Sequence, residues 1–397
     1  LDEPSIGLHP NNVDGLINVI RRLVEDGNSI ILVDHDTRIL SIADYMIEMG
    51  PKAGADGGNI IAQGSLDEIK NNSSSQIAPF LTKSEEIIIR DKHEDIFENG
   101  AIEIKTSKIH NVKEIDVKIP KGKLTVVSGV SGSGKTTLLL EALYPAVKAQ
   151  INNENLSDNV IDIDCEGIKK IDLIDSVPIG KNVRSTVATY SKVLDDLRRE
   201  FAKLSDEYKM ADFSYNTGKL RCETCNGTGS VSMDVQFLPD VEMTCPDCDG
   251  LRYGNKIDEV KYNGLSLADI MSLTVDESLE ELFGLDKVTD KLQKISDLGL
   301  GYLTLGEATP TLSGGEAQRL KLSSEIGKSQ KNSIFIFDEP TIGLHPLDVK
   351  VLIDVLDNLI DRGATVIVIE HDLDLIANAD YIIDIGPKAG RLGGHIV

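Results

Sequence analysis

The chain has 397 residues, of which 41% are hydrophobic and 27% are charged, and this composition excludes an intrinsically disordered protein. No stretch approaches the roughly 18 consecutive apolar residues that a membrane span requires, so we expect a cytoplasmic protein without a membrane segment. The formal net charge of −24 argues against nucleic-acid binding by the surface as a whole, because Lys and Arg must neutralise the phosphates.

A long internal repeat organises the chain. Residues 1–61 align without a gap on residues 337–397, and 29 of the 61 positions are identical. Each copy has Asp-Glu-Pro, then Ile-Gly-Leu-His-Pro, an amphipathic helix, and an apolar strand that ends in His-Asp. The repeat predicts two copies of one domain, with residues 1–64 as the C-terminal part of the first. We expect residues 65–100 to be an exposed linker, because their apolar residues follow no periodic pattern.

A phosphate-binding loop is predicted where the strand-like segment Leu124–Ser128 meets a helix beginning at Thr137. Residues 129–136 read Gly-Val-Ser-Gly-Ser-Gly-Lys-Thr, the pattern G-x-x-x-x-G-K-[ST] in its strand-to-helix context. Backbone N–H groups would bind phosphate oxygens, Lys135 would neutralise the outer phosphates, and the Thr136 hydroxyl would bind Mg²⁺. The predicted nucleotide-binding residues of this loop are Gly129, Ser131, Gly132, Gly134, Lys135, Thr136 and Thr137.

A basic segment follows within a region that we expect to be inserted into the second domain, at residues 176–300. Residues 181–221 hold nine Lys or Arg against six Asp or Glu, and Val193–Leu204 has a helical pattern. Two interpretations stay open, an ordinary solvated helix face and a surface that contacts the phosphate backbone of double-stranded DNA. The candidate DNA-contact residues are Lys181, Arg184, Arg198, Arg199, Lys219 and Arg221.

Two Cys-x-x-Cys pairs separated by nineteen residues lie at the centre of the inserted region. Four thiolates in two short knuckles suit tetrahedral Zn²⁺, whereas disulfides are disfavoured in a chain without secretory features. The spacing predicts a structural zinc module at residues 218–253, with paired surface disulfides or free thiols as the alternative. The predicted zinc ligands are Cys222, Cys225, Cys245 and Cys248.

A second anion-binding helix start is predicted at Leu312–Arg319, which reads Leu-Ser-Gly-Gly-Glu-Ala-Gln-Arg. One nucleotide does not need two such sites from a single domain. We therefore infer that Ser313, Gly314 and Gly315 contact a nucleotide held by another copy, so that ATP lies between two domains. This arrangement is typical of ABC ATPases.

Two apolar strands are expected to bring the catalytic groups to one edge of a sheet. The strand-like segment 333–337 precedes Asp338 and Glu339, and the segment 365–369 precedes Glu370-His371-Asp372. Asp338 would hold Mg²⁺, Glu339 would activate water as general base, and His371 would contact the γ-phosphate. For His371 alone a structural role is the alternative. The predicted catalytic residues are Glu339, His371 and Lys135.

Together these motifs predict an α/β fold, in which an ABC-type P-loop ATPase domain carries an inserted helical and zinc-binding domain. The second ABC domain would comprise residues 101–175 and 301–397, preceded by the C-terminal half of a first ABC domain.

The motifs resemble those of UvrA, the damage-recognition ATPase of bacterial nucleotide excision repair. The resemblance depends on Gly-Val-Ser-Gly-Ser-Gly-Lys at 129–135, Pro-Ile-Gly at 178–180, Ala-Thr-Tyr at 188–190, Phe-Ser-Tyr-Asn before the first knuckle, Phe-Leu-Pro-Asp at 237–240, Leu-Ser-Gly-Gly-Glu-Ala-Gln-Arg and the repeated Asp-Glu-Pro motif. It implies a homodimer that scans duplex DNA, loads UvrB and uses ATP, Mg²⁺ and Zn²⁺. It also implies membership of the SOS-response excision nuclease system, without nuclease activity of its own.

Some residues depart from the UvrA pattern. Asp175-Ser176-Val177 stands where the family has Asp-Gln-Ser, the Pro expected near Val183 is missing, and Asp34 replaces the Glu before His35. These departures suggest a diverged paralogue, and some UvrA-like paralogues are associated with tolerance of DNA-binding drugs.

Two other functions compete with a UvrA-type ATPase. An ABC transporter energy subunit is disfavoured by the zinc insertion and by two tandem domains without membrane segments. The Cys-x-x-Cys-x-Gly-x-Gly pattern at 222–229 also resembles DnaJ-type zinc knuckles, but those proteins lack a P-loop. Because the first domain is represented only by its C-terminal half, we expect slow ATP turnover unless two chains pair through their second copies.

Overall fold

The computed structural model describes residues 1–8, 10–51, 57–84, 90, 95–175, 177, 179–180, 182–233, 241–325 and 328–397. The chain forms two compact units, residues 1–176 with 327–397 and residues 177–326. Among the described residues, no helix combines the length and the apolarity needed to cross a bilayer.

The first unit begins with the helices and the hairpin of the first repeat and continues into the predicted second domain. Its elements up to residue 176 are α1 (Pro10–Glu25), α2 (Thr37–Leu40), β1 (Met46–Gly50), β2 (Asn59–Gly64), α3 (Leu66–Lys70), α4 (Ala78–Leu81), β3 (Ala101–Thr106), β4 (Ile115–Pro120), β5 (Leu124–Ser128), α5 (Tyr144–Asn152), β6 (Val160–Asp164) and β7 (Lys170–Ile174).

The second unit is mainly helical. Its elements are α6 (Val187–Tyr190), α7 (Val193–Lys203), β8 (Ser230–Met233), β9 (Val241–Thr244), α8 (Leu267–Ser272), α9 (Val275–Glu281), α10 (Asp286–Ile295) and α11 (Gly314–Leu322). The chain then returns to the first unit through β10 (Ser333–Asp338), α12 (Pro346–Asp361), β11 (Thr365–Ile369), α13 (Leu373–Ala377), β12 (Tyr381–Gly386) and β13 (His395–Ile396).

A six-stranded sheet positions the predicted catalytic groups. Its strand order is β13-β12-β5-β11-β10-β7, and every pairing is parallel except that of β13 with β12. β11 is buried along its whole length because β5 and β10 flank it and helices cover the sheet, which is the usual setting of a continuous apolar strand. The strands predicted before residues 129, 338 and 370 are therefore confirmed, and their carboxyl ends meet at one edge.

The helix predicted after the phosphate-binding loop also forms. Residues Thr137–Leu143 have π-helical hydrogen bonding before the chain continues as α5. Leu138, Leu139, Ala142 and Leu143 are buried from this segment in the main core. The segment is anchored by apolar packing, so the loop that precedes it has a fixed base.

The strand predicted in the first repeat does not form. Within the described part of the chain, residues 29–34 make only one parallel bridge, between Asp2 and Val33. The side chain of Ile31 is 84% exposed, whereas its counterpart Ile367 is fully buried. In the second repeat the equivalent strand pairs with β5 on one side, and the 61-residue repeat contains no counterpart of β5. A strand that lacks this neighbour has no partner for its backbone groups on that side.

Part of the predicted exposed linker is folded. α3 and α4 pack on the β1–β2 hairpin and bury Ile69 and Ile77. The Glu48 carboxylate accepts hydrogen bonds from the Ser75 hydroxyl at 2.6 Å and from the backbone N–H groups of Gln76 and Ile77 at 2.8 and 3.0 Å. These contacts, which the irregular apolar pattern concealed, fix residues 66–81 to the first repeat. Residues 85–89 and 91–94 of this segment lie outside the described residues.

Candidate nucleotide-binding and zinc sites

The phosphate-binding loop depends on glycine at positions where the chain passes close to other atoms. Gly129 has φ +138°, and a Cβ there would lie 2.1 Å from the carbonyl oxygen of Ile385. Gly134 has φ +115°, and a Cβ there would lie 2.5 Å from Cγ2 of Val112. Any larger residue would clash and would also adopt an unfavourable backbone conformation. The loop can therefore approach phosphate oxygens with its backbone N–H groups.

Lys135 is buried at the base of this loop. Its ammonium group donates hydrogen bonds to the carbonyl oxygens of Gly129 at 2.8 Å and Val130 at 3.3 Å. Burial lowers the pKa of Lys135, while the carboxylates of Glu339 and Asp338 act in the opposite direction. The lysine thus lies in the field of the predicted general base Glu339 and the predicted Mg²⁺ ligand Asp338. A phosphate oxygen bound in the loop would compete with the two carbonyls for its protons.

The adjacent carboxylates lie at the end of β10, as predicted. Burial raises the pKa of Asp338, Glu339 and Asp175 raise it further, and Lys135 lowers it. Glu339 has φ +45°, a left-handed conformation that only a minority of non-glycine residues adopt. Its backbone N–H donates to the carbonyl oxygen of Ile369 at 3.0 Å, which fixes it against the end of β11.

His371 lies next to Glu339. The distance from His371 Nε2 to Glu339 Oε1 is 3.4 Å, and the histidine side chain is only 8% exposed. The sheet therefore brings Lys135, Asp338, Glu339 and His371 to one edge. Such a group can bind a phosphate ester, polarise a water molecule and hold a cation through carboxylate oxygen.

The first repeat has the same pair of groups. The distance from His35 Nε2 to Glu3 Oε1 is 3.5 Å, and Glu3 shares the left-handed conformation of Glu339, with φ +41°. Residues of both repeats line one cavity of about 610 Å³, including Glu3, His35, Glu339 and His371. The cavity is thus bounded by two Glu–His pairs related by the internal repeat.

Sequence reasoning missed two acid–hydroxyl pairs beside these groups. Glu370 is buried and accepts hydrogen bonds from Thr341, and Asp34 accepts from Ser5. Burial raises the pKa of Glu370 to about 7, an effect that the donors Thr341 and His371 oppose. The available signal was the repeat itself, in which a hydroxyl residue follows each Asp-Glu-Pro and an acid precedes each histidine.

Ser313 begins helix α11, as the sequence predicts. Its hydroxyl accepts from the backbone N–H of Glu316 at 3.3 Å, and the Glu316 carboxylate accepts from the backbone N–H of Ser313 at 2.7 Å. This reciprocal cap, with Gly314 and Gly315 in the first helical turn, orders the helix start. These residues belong to the second unit.

The four cysteines of the two knuckles converge in the second unit. Their sulfur atoms all lie within 4.8 Å of one another, with Cys222 Sγ 3.9 Å from Cys245 Sγ and Cys225 Sγ 3.7 Å from Cys248 Sγ. Four sulfurs around Zn²⁺ at about 2.3 Å would be separated by about 3.8 Å. All four cysteines are buried, as a closed structural site requires. The residues present therefore fit Zn²⁺.

Hydrogen-bond donors favour the thiolate form of one of the four cysteines, whereas burial raises the pKa of Cys222 and Cys248. Burial raises the pKa of the Cys225 thiol, but the N–H of Gly229, the Cys248 thiol and the N–H of Gly227 outweigh burial, and the pKa is lowered to about 7. A Cβ at Gly227 would lie 1.8 Å from the carbonyl oxygen of Tyr215, so this turn requires glycine. These donors favour a thiolate at Cys225, one of the predicted zinc ligands.

The candidate DNA-contact residues divide into two groups. Three residues of α7 and its surroundings make ion pairs with neighbouring carboxylates, namely Arg198 with Asp195, Arg199 with Asp196 and Lys219 with Asp212. Arg184 and Arg221 instead both donate to the carbonyl oxygen of Asn216, at 3.4 and 3.2 Å. Lys181 lies outside the described residues.

Comparisons with curated proteins identify close relatives along the whole chain. It is 44% identical over 407 aligned residues to UvrABC system protein A of Aquifex aeolicus and 43% identical over 405 residues to UvrABC system protein A of Staphylococcus aureus strain COL. Each alignment covers 100% of this chain but only 44% and 42% of the relative. The chain thus spans less than half the length of the curated relatives it matches. No family model matches it.

Solved structures agree with the sequence comparison. The crystal structure of UvrA2 from Deinococcus radiodurans matches with a TM-score of 0.92 and 38% identity, over 100% of this chain and 48% of that one. A ribosome-bound archaeal Pelota and ABCE1 structure matches with a TM-score of 0.51 at 17% identity over 98% of this chain and 51% of that one, which shows the fold alone. These matches confirm the predicted α/β fold of the ABC ATPase type.

Proposed function

We propose that this chain, which belongs to the UvrA family, binds ATP with Mg²⁺ and hydrolyses it to drive the recognition of damaged duplex DNA. The observation that carries the proposal is the convergence of Lys135 with Asp338, Glu339 and His371 at the carboxyl edge of one parallel sheet. The 44% identity to a UvrABC system protein A along the whole chain supports the same function.

In this proposal each residue at the sheet edge has one task. The loop glycines and Ser131 bind phosphate oxygens through backbone N–H groups, and Lys135 neutralises the outer phosphates. Thr136 and Asp338 would hold Mg²⁺, which when bound neutralises charge on the transferred phosphoryl group. Glu339 accepts a proton from the attacking water, and His371 holds the γ-phosphate side of the site while contacting Glu339.

We assign the start of α11 to a nucleotide held by another copy of the domain. Ser313, Gly314 and Gly315 would complete a site from outside, so full activity requires two copies to meet, and we propose a homodimer. Residues 1–64 then act as the C-terminal part of a first ABC domain, 101–175 and 301–397 as the second, and 176–300 as its insertion.

The insertion would serve DNA recognition. Four thiolates at 222, 225, 245 and 248 would hold Zn²⁺ and order the lobe. Arg184 and Arg221 would contact phosphates, because they donate to a backbone carbonyl oxygen and no described carboxylate pairs with them. By family membership, UvrB is the proposed protein partner, within a cytoplasmic excision nuclease system in which this chain is not the nuclease.

The first experiment measures binding to duplex DNA with and without one bulky adduct, across a salt series, for the wild type, Lys135→Ala and Glu339→Gln. We expect both variants to lose ATP turnover, with Glu339→Gln retaining nucleotide binding, and the preference for the adduct to depend on Lys135. DNA binding without adduct preference would favour a diverged paralogue with another ligand, as the departures at Asp34 and Ser176 suggest. Failure to bind DNA even at low salt would favour a transporter energy subunit.

A further inference from the structure

The acid that precedes the histidine in the second repeat joins two segments of the site. One oxygen of the Glu370 carboxylate accepts hydrogen bonds from the hydroxyl and from the backbone N–H of Thr341, the latter at 3.0 Å. The other oxygen accepts from the backbone N–H of His371 at 2.6 Å. Only 2% of Glu370 is exposed, so water cannot replace these donors. Glu370 thus fixes the turn after Asp-Glu-Pro to the segment that carries the histidine.

The first repeat contains the same arrangement with a shorter acid. Asp34 accepts from the Ser5 hydroxyl at 2.6 Å, from the Ser5 backbone N–H at 3.2 Å and from the backbone N–H of His35 at 2.8 Å. We use the term latch for each acid–hydroxyl pair, Glu370 with Thr341 and Asp34 with Ser5. The contacts recur although both residues differ between the repeats, which indicates that the arrangement rather than the residue type is maintained.

The turn that follows each hydroxyl residue lies near the glutamate of the other repeat. Two residues after Thr341, Gly343 has φ +69°, and a Cβ there would lie 3.3 Å from Oε2 of Glu3. Reciprocally, Gly7 follows Ser5 by two residues, and a Cβ there would lie 3.9 Å from Oε2 of Glu339. A side chain at Gly343 would therefore press on the Glu3 carboxylate, and one at Gly7 would reach van der Waals contact with the Glu339 carboxylate, so each turn lies near the glutamate of the other repeat.

These contacts close a ring. One half starts at His371 and passes through Glu370 and Thr341 to Gly343, which lies near Glu3. The other half starts at His35 and passes through Asp34 and Ser5 to Gly7, which lies near Glu339. The two Glu–His pairs complete the circuit at 3.5 and 3.4 Å. The steps within each repeat are hydrogen bonds or ion-pair distances, and the two steps between repeats are the proximity of Gly343 to Glu3 and of Gly7 to Glu339.

We propose that the two latches are positioning residues for ATP hydrolysis, which hold each Glu–His pair in the geometry set by the other repeat. This inference rests on the proposed function, since it assigns a role only if Glu339 acts on water. A general base must be held within a fraction of an ångström of its working position. A carboxylate that accepts several hydrogen bonds in a buried place supplies such rigidity, because charge-assisted hydrogen bonds are the stronger ones.

The test compares Thr341→Val with Thr341→Ser in the full chain. The valine variant keeps the shape but removes the hydroxyl donor, and the serine variant restores it. We expect Thr341→Val to lower kcat for ATP at least about tenfold with less than about a twofold change in KM, and serine to recover most of the loss. Thr365→Val is the matched control, because Thr365 is a buried threonine at the opposite end of β11 whose hydroxyl accepts from Gly122 N–H at 2.9 Å.

A double-mutant cycle tests whether the two latches act through one ring. Ser5→Ala should also lower kcat, and the double variant Ser5→Ala with Thr341→Val should lose about as much as either single variant, since each opens the same circuit. Multiplied losses would overturn the coupling. An unchanged kcat in Thr341→Val, while Lys135→Ala abolishes turnover, would overturn the latch and leave the ATPase proposal standing. Turnover that survives Lys135→Ala would instead overturn the ATPase proposal.

Discussion

Two glutamates of the site adopt an unfavourable backbone conformation. Glu3 and Glu339 occupy equivalent positions in the repeat, and both have positive φ, +41° and +45°. A left-handed conformation costs a non-glycine residue roughly 1–2 kcal/mol. It is maintained here by a hydrogen bond from each backbone N–H, to the carbonyl oxygen of Val33 at 2.7 Å for Glu3 and of Ile369 at 3.0 Å for Glu339. The conformation directs each carboxylate toward its histidine.

At the same scale, Gly129→Ala should abolish nucleotide binding. The new Cβ would lie 2.1 Å from the Ile385 carbonyl oxygen at φ +138°, so the loop must move away from β12. We expect a loss of about 2–4 kcal/mol in the free energy of unfolding and no measurable binding of a fluorescent ATP analogue. The control is Gly167→Ala, which also has positive φ, +83°, but has open space around its Cβ. Equal nucleotide affinity in the two variants would contradict this account of the loop.

At the scale of elements, strands that are buried on both sides could be predicted and those that depend on missing neighbours could not. β10 and β11 are continuous apolar runs, and polar groups follow each of them, so both the strands and their shared edge were predictable. Residues 29–34 have nearly the same pattern but lack the neighbour that β5 provides in the second repeat. A periodic pattern reports which face is apolar, and it does not report whether a partner strand is present.

The same limit applies to the site. The positions of Lys135, Glu339 and His371 follow from motifs at strand ends, but the latches were not predictable from any single motif. Glu370 contacts Thr341 only because β10 and β11 are neighbours in a parallel sheet. Likewise, Arg198 and Arg199 each form an ion pair with a carboxylate three residues earlier on the same helix. A count of net charge does not reveal these pairs.

We expect loss of the zinc site to affect residues outside the two knuckles. Arg252, four residues after Cys248, is buried and donates to the carbonyl oxygens of Val183 at 2.9 Å and Gly306 at 3.5 Å, and it packs over the Tyr215 ring. Cys245→Ser should therefore abolish zinc binding and also increase hydrogen exchange in the segments around residues 183 and 306, well outside the knuckles.

The matched control for this experiment is Cys165→Ser. Cys165 is also buried, and its thiol donates to Gln150 Oε1 at 2.9 Å in the first unit, so the change leaves the knuckles intact. It should leave zinc content and exchange in the second unit unaltered. One zinc per chain retained in Cys245→Ser would contradict the assignment of Cys245 as a zinc ligand. Zinc loss with exchange that rises only within residues 222–251 would show that Arg252 does not connect the knuckles to the rest of the lobe.

For the whole molecule, the raised pKa values of buried carboxyl groups predict that the free energy of unfolding decreases from mildly acidic to alkaline pH. Burial raises the pKa of Glu370 to about 7 and the pKa values of Asp357 and Asp372 to about 6. The folded state therefore binds more protons than the unfolded state between the ordinary carboxyl pKa and these values, so stability is lost as pH rises through this window and levels off above about pH 7. Burial lowers the pKa of His345, which opposes the trend.

The expected gain from pH 8 to pH 6 is about 1–2 kcal/mol in the free energy of unfolding, given about 1.4 kcal/mol per pKa unit and a discount for the partly exposed Asp357. Urea denaturation at constant ionic strength, with zinc present, measures it. A net charge of −24 adds self-repulsion, so raising the salt concentration at pH 8 should also stabilise the protein.

In Glu370→Gln the pH dependence of the free energy of unfolding above pH 6 should shrink by more than half, because the group with the highest of these pKa values no longer titrates. An unaltered slope in that variant would assign the pH dependence to groups other than Glu370, and a stability that rises from pH 6 to pH 8 would contradict the sign.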